Sequence, residues 1–102
     1  MRKYGDFLID NGVLIEYTGS AAEVVVPEKI KEIGFEAFYR LKCVISVRLP
    51  KGLTRIGRSA FYRDDVIGCV CLHDGVKSID NGTVRECPHF THFYRSVKKD
   101  NK

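Results

Sequence analysis

The chain has no long hydrophobic run, since its apolar stretches, such as residues 7–9 and 13–15, are three or four residues long. A transmembrane helix, which needs about 20 predominantly apolar residues, is therefore excluded. The basic start Met1-Arg2-Lys3 is followed by Gly5 and Asp6 and not by the apolar stretch of about seven residues that a signal peptide carries. These residues predict no signal peptide, and the sequence leaves the localisation open.

The sequence motifs of nucleotide-binding proteins and of common zinc and redox sites are also missing. The nine glycines form neither a GxGxxG nor a GxxxxGK[ST] phosphate loop. None of the four cysteines belongs to a CxxC pair, which argues against a structural zinc site or a thioredoxin-like redox site. Cys69 and Cys71 stand two apart on an expected strand, a poor geometry for a mutual disulfide. We expect free thiols, no cofactor and no enzymatic activity.

Length and composition predict one folded domain. The chain has 102 residues, of which 44% are hydrophobic, and a formal net charge of +4. Disordered chains combine low hydrophobicity with high net charge, and this chain shows neither. The tail at residues 93–102 carries +3 of that charge, from Arg95, Lys98, Lys99 and Lys102 against Asp100.

An internal repeat divides most of the chain into segments of equal length. The repeats cover residues 24–46, 47–69 and 70–92, and residues 1–23 precede them. The first two are identical at eight of the 23 positions, which include a Pro, an Ile-Gly pair and the sequence Ala-Phe-Tyr-Arg. The third keeps the frame but replaces the proline by His73, the glycine by Asp80 and Ala-Phe by Thr83-Val84. Because one unit cannot bury its own apolar face, stacking of the units predicts a single solenoid domain over residues 1–102.

Within each repeat the residue pattern predicts the local structure. Alternating apolar residues, as in Val24 and Val26, predict a short strand whose apolar side faces inward, and the following proline ends it. Ala-Phe-Tyr-Arg predicts about one helical turn. The fold class is therefore an α/β-type solenoid with short stacked parallel strands. Before the repeats, Asn11-Gly12 between alternating apolar segments predicts a β-hairpin with a type I′ turn.

The pattern V-x-[VL]-P-x-x-[IL]-x-x-I-G-x-x-A-F-Y of the first two repeats resembles the BspA-like class of leucine-rich repeats. The resemblance implies a leucine-rich-repeat fold that begins with a β-hairpin cap. It also implies a buried cysteine at Cys87, with Leu41 and Asp64 at the equivalent positions of the other repeats. Members of this class are often secreted or surface proteins of bacteria that bind host matrix proteins, so the resemblance implies adhesion to another protein.

The leading candidate surface is the exposed side of the stacked strands. Equivalent positions of successive repeats place Val25, Arg48, Cys71 and Tyr94 in one outward column. Arg and Tyr are favoured anchors of protein interfaces. This column is the predicted contact surface of a non-enzymatic protein-interaction module.

A second hypothesis is the binding of an anionic polymer. Residues 37–63 hold seven basic residues and no acidic one. The repeat register pairs Arg55 with Glu32, which favours a solvated, neutralised face. Arg40, Arg58 and Arg63 are expected to have no acidic partner in register, and they are the candidate anion-binding residues. Together with the basic tail they would bind an acidic glycan or a nucleic acid, of which nucleic acid is the less expected partner.

Two further interpretations concern the last repeat. Cys69, Cys71 and His73 are expected to point outward together with His92 one strand above, a donor set that would suit tetrahedral zinc. The alternative is a coincidence in a repeat that has diverged. Residues 93–95 are predicted to start a fourth strand, and its open edge makes this end of the solenoid a candidate surface for a homodimer.

Overall fold

Two sheets of short strands run along the chain in a computed structural model that describes residues 2–73, 75–80 and 82–95. The strands of these residues are β1 (Arg2–Tyr4), β2 (Phe7–Asp10), β3 (Val13–Tyr17), β4 (Glu23–Val25), β5 (Glu32–Ile33), β6 (Ser46–Arg48), β7 (Arg55–Ile56), β8 (Cys69–Leu72), β9 (Ser78–Ile79) and β10 (His92–Arg95). One sheet has the order β1-β2-β3-β5-β7-β9 and the other has the order β10-β8-β6-β4. Successive coils thus contribute one strand to each sheet.

The coils stack in parallel with an offset of one repeat. Val24 pairs with Val47, and Val47 pairs with Val70, across β4, β6 and β8. In the other sheet Ile33 pairs with Ile56 across β5 and β7. The predicted stacking of parallel strands is confirmed, and β10 adds the expected fourth strand beside β8.

The N-terminal hairpin continues directly into the solenoid. Strands β2 and β3 are antiparallel, and the turn residues Asn11 and Gly12 have φ values of 52° and 79°. Two successive positive φ angles are what a type I′ turn requires, and Asn-Gly supplies them at low cost. Strand β3 then runs parallel to β5, so the hairpin covers the first coil.

The core is a column of equivalent apolar residues from each coil. Each coil buries two side chains from the strand, an aliphatic residue after the proline turn, and the Phe of the Ala-Phe pair where that pair is present. The fully buried members include Val26, Ile30, Ile33, Phe38, Val44, Val47, Leu49, Leu53, Ile56, Phe61, Ile67 and Val70. The alternation read from the sequence therefore places the strand side chains correctly.

The short helical turns expected at Ala-Phe-Tyr-Arg are not found, and the described residues contain turns there and no helix. Glu36 and Arg40 have positive φ angles of 54° and 57°, which a right-handed helix does not allow. The amide of Phe38 donates to the carbonyl of Ala60 in the next coil at 2.8 Å, and not to a residue of its own turn. The structure is a β-solenoid, and the α/β part of the expected fold class is not confirmed.

The third coil differs from the other two where its sequence differs. Ile79 is 40% exposed, whereas Ile33 and Ile56, at the equivalent positions of the other coils, are fully buried. Thr83 takes the place of alanine, and its hydroxyl donates to the Asp80 carbonyl at 2.6 Å. No helix in the described ranges is long and apolar enough to cross a membrane.

Candidate functional site

The outward column of the four-stranded sheet forms as the register predicts. Val25 lies opposite Arg48, Arg48 lies opposite Cys71, and Cys71 lies opposite Tyr94. Val25 is 64% exposed and Tyr94 is 39% exposed. Beside them is a shallow depression of about 70 Å³ that Ser46, Arg48 and Tyr94 help to line. We call the four residues Val25, Arg48, Cys71 and Tyr94 the strand-face column.

Cys71 departs from the expectation that the whole column is exposed, because only 1% of it is accessible. The guanidinium Nη1 of Arg48 lies 3.7 Å from its Sγ, on one side. On the other side a hydrogen bond with Cys71 raises the pKa of the Tyr94 hydroxyl. The thiol therefore does not offer itself to a partner but fixes the two side chains that cover it.

Arg48 keeps its charge unneutralised, since no carboxylate lies within ion-pair distance of it among the residues that the structure describes. Its neighbours across the sheet are the apolar Val25 and the thiol of Cys71. The guanidinium of Arg48 thus lies beside the exposed side chain of Val25 and near the ring of Tyr94. Arginine and tyrosine are enriched among the anchor residues of protein interfaces.

The candidate zinc ligands do not come together as a metal site. In the described ranges no group of three or more His, Cys, Asp or Glu side chains is placed to hold a metal ion. His92 pairs with Cys69 in register, but its Nδ1 lies 2.8 Å from the Thr91 hydroxyl. The side chain of Cys71 is buried. The backbone carbonyl of His73 accepts a hydrogen bond from Arg95 Nη1 at 2.8 Å.

The three candidate anion-binding arginines have different surroundings. Arg63 was expected to have no acidic partner, and this is wrong because its Nε donates to Glu86 Oε1 at 2.9 Å. Glu86 stands one repeat after Arg63, so the partner was present in register. Arg58 lies over the ring of Phe35 at 5.5 Å, and Arg40 lies over the ring of Tyr39 at 5.8 Å.

The ion pair expected from register between Arg55 and Glu32 is present at 2.7 Å. A second carboxylate, that of Asp80, meets the same guanidinium at 2.5 Å. Arg55 is therefore neutralised from the coils on both sides. The basic residues in 37–63 are therefore partly neutralised by acidic side chains of the neighbouring coils, which agrees with the interpretation of a solvated, neutralised face. The lysines of the tail lie outside the described residues.

Asp64 stands at the position equivalent to Cys87, but the full burial of its carboxyl group was not predicted. Its Oδ1 accepts a hydrogen bond from the Leu41 amide at 2.8 Å. Its burial raises its pKa to about 7. In the next coil the Cys87 thiol donates to the Phe61 carbonyl. The signal in the sequence for the burial of Asp64 is its position, one repeat after Leu41 and one repeat before Cys87.

The family follows from comparison with known proteins. A family model described as the BspA type leucine rich repeat region (6 copies) matches residues 12–99. The chain belongs to the BspA-type leucine-rich-repeat family. A search of curated proteins gave no match.

A solved structure has a similar fold. The chain is similar to a leucine rich cell surface protein from Faecalibacterium prausnitzii, with 21% sequence identity and a TM-score of 0.74. The match covers 92% of this chain and 32% of that protein, so the chain spans about a third of its length. Leucine-rich repeats of this kind commonly mediate protein interactions or adhesion.

Proposed function

We propose that the chain is a non-enzymatic protein-interaction module that binds its partner through the strand-face column. The observation that carries the proposal is the arrangement of Arg48 and Tyr94 around the covered sulfur of Cys71. The Arg48 guanidinium contacts the Cys71 sulfur at 3.7 Å, and Tyr94 lies opposite Cys71 on the neighbouring strand, before a partner arrives. Binding therefore costs less ordering entropy than it would for two free surface side chains.

The chemistry of the column defines the partner. Val25 offers apolar area, Tyr94 offers a ring with a polar tip, and Arg48 offers a positive charge with no ion-pair partner among the described residues. A complementary surface would present a carboxylate opposite Arg48 and an apolar patch over Val25. We assign this partner to another protein, and the similarity to a cell surface protein supports an adhesive role at a bacterial surface.

The test compares variants of the column with matched controls elsewhere on the surface. Arg48→Glu and Tyr94→Ala are expected to weaken binding to a panel of immobilised extracellular matrix proteins by about tenfold or more, the effect of losing an anchor residue. Arg40→Glu makes the same charge change away from the column, and Tyr4→Ala removes an exposed ring from β1. Both controls are expected to bind like the wild type.

Binding that survives both column variants would contradict this surface. Binding lost equally in Arg40→Glu would show that net charge, and not the strand-face column, decides the interaction. Thermal melting of each variant shows whether weaker binding comes from the altered surface of a folded protein or from unfolding.

The homodimer is a separate proposal that concerns the edge strand β10. Strand β10 is the outermost strand of its sheet in the described part of the chain. Its free backbone groups can pair with a strand of a second copy. Sedimentation velocity at increasing protein concentration would show a dimer, and an unchanged monomer peak would exclude it.

A further inference from the structure

A second surface, away from the strand-face column, collects two arginines and an exposed phenylalanine. A pocket of about 350 Å³ is lined by Phe35, Arg58, Ser59, Gly82 and Arg85. These residues come from the turns that follow β5, β7 and β9, at the edge of the other sheet. We call this the Phe35 pocket.

The repeat register explains how the pocket forms. Arg58 stands one repeat after Phe35, and its guanidinium carbon lies 5.5 Å from the centroid of the Phe35 ring. Arg85 stands one repeat after Tyr62, at the position where the first two repeats have stacked tyrosines. The third repeat thus exchanges an aromatic residue for a guanidinium and brings a second positive charge to a pocket that Arg58 already lines.

Neither arginine of this pocket forms an ion pair in the part of the chain that the structure describes, although Glu32 and Asp80 line the adjoining hollow, which shares Phe35 and Arg58 with it. Arg55, on the adjacent β7, is neutralised by Glu32 and Asp80. Neither Arg58 nor Arg85 has a carboxylate within ion-pair distance among those residues. Two guanidinium groups in one pocket favour a planar carboxylate, which matches the arginine fork with two parallel hydrogen bonds.

The volume and the apolar lining define the rest of the ligand. A single carboxylate is much smaller than 350 Å³, so the pocket has room for a ligand with a larger body. Phe35 is 57% exposed, and among the described residues it is the only large apolar side chain that lines the pocket. One face of a six-membered ring, either an aromatic ring or the C–H face of a sugar, can pack on an exposed phenyl ring while its carboxylate reaches the guanidinium groups.

We propose that the Phe35 pocket binds a carboxylate carried on a six-membered ring. Such a group is found in sugar acids and in aromatic acids, and both share the recognition chemistry described above. The site is independent of the strand-face column, so the failure of either proposal leaves the other standing.

The experiment titrates the isotope-labelled chain with glucuronate, benzoate and acetate and follows the amide shifts of Ser59 and Gly82 by NMR. Saturable shifts are expected with one of the ring acids, and acetate is expected to bind at least about tenfold more weakly. The better of the two ring acids identifies the source as a sugar acid or an aromatic acid. Equal binding of acetate would overturn the role assigned to the ring.

Three substitutions test the residues. Arg58→Gln and Arg85→Gln are each expected to weaken binding by about tenfold, the effect of removing one charge-assisted hydrogen bond. Arg40→Gln removes an arginine that also lies over an aromatic ring but does not line the pocket, and it is the matched control. Phe35→Ala is expected to bring the ring acids down to the affinity of acetate.

The proposal is overturned if neither ring acid gives saturable shifts. It is also overturned if Arg40→Gln weakens binding as much as Arg58→Gln, because the effect would then come from net charge alone.

Discussion

Asp64 is a buried carboxyl group whose two oxygens have unequal surroundings. Its Oδ1 accepts the Leu41 amide at 2.8 Å, whereas its Oδ2 has no hydrogen-bond partner among the described residues. Burial is the largest cause of the rise of its pKa from 3.8 to about 7, and the Leu41 hydrogen bond opposes that rise. The folded chain therefore keeps a proton on Asp64 at pH values where the unfolded chain has lost it.

This difference predicts a pH-dependent stability. Between about pH 4 and pH 7 the folded state binds more protons at Asp64 than the unfolded state, so the free energy of unfolding falls as the pH rises through that range. The expected loss is at most on the order of 4 kcal/mol, the free energy that corresponds to a rise of the pKa from 3.8 to about 7. Urea unfolding at a series of pH values measures it.

The variant Asp64→Asn is the control for that prediction, since its amide keeps an acceptor for the Leu41 N–H but does not titrate. Its free energy of unfolding is expected to change less between pH 4 and pH 7 than that of the wild type. The same slope in both proteins would assign the pH dependence to other groups.

Residue-scale features were predicted where a local motif or the register between well-preserved repeats carried the signal, as for the Arg55–Glu32 ion pair. Asn11-Gly12 predicted its turn because the two residues alone favour positive φ. The partner of Arg63 was missed because the third repeat, which supplies Glu86, no longer resembles the other two in that segment. The burial of Cys71 was missed because it depends on where two long neighbouring side chains lie, which alternation does not encode.

At the scale of the strand and its turn, Gly57 marks a point of close contact between coils. Gly57 follows β7, and its amide donates to the Ile33 carbonyl of the previous coil at 2.8 Å. A Cβ atom at this position would lie 2.9 Å from that same oxygen. Because the obstacle is backbone inside a paired segment, it cannot move away without separating the coils.

Gly57→Ala is therefore expected to lower the free energy of unfolding by about 1–3 kcal/mol, the usual cost of overpacking. Gly68→Ala is the matched control, since a Cβ there would meet only the Ile45 carbonyl at 3.8 Å, an ordinary contact. The control is expected to stay within about 0.5 kcal/mol of the wild type. Equal stability of the two variants in urea unfolding would contradict the close contact.

The strands β5 and β7 and the turns after them show what the sequence repeat can and cannot predict. The repeated Ile-Gly pair marks the end of β5 and β7, and in the structure a turn begins directly after Gly34 and Gly57. The segment after it was predicted to be helical because Ala-Phe-Tyr-Arg has helix-forming residues. Alternate amides donate instead to the next coil, as Phe61 does to Thr83 at 2.8 Å, whereas Ala60 and Tyr62 donate within their own turn. Such long-range pairing overrides local propensity.

For the whole molecule, a stack of aromatic rings joins the hairpin to the coils. Phe7 contacts Tyr17 at 5.2 Å between ring centroids, Tyr17 contacts Phe38 at 5.5 Å, and Phe38 contacts Phe61 at 5.0 Å. The equivalent position in the third coil is Val84, so the stack ends there. Because each coil of a solenoid contacts only its neighbours, the third coil is held through the second alone.

This asymmetry predicts a gradient of local stability that amide hydrogen exchange can measure. Three amides at the same position of successive coils make equivalent bonds to the coil before them: Gly34 to Leu14, Gly57 to Ile33 and Asp80 to Ile56, at 2.9, 2.8 and 3.0 Å. The Asp80 amide is expected to exchange at least about tenfold faster than the other two, because the third coil opens without unfolding the rest.

Val84→Ala separates local opening of the third coil from global unfolding. It removes two methyl groups, worth on the order of 1.5 kcal/mol if fully buried, from the coil that already has the weakest packing. Exchange at Asp80 is expected to accelerate while Gly34 keeps its wild-type rate, because the first coil does not depend on the third. If all three amides accelerate together, the chain unfolds as one cooperative unit. The aromatic stack would then not set the order in which the coils open.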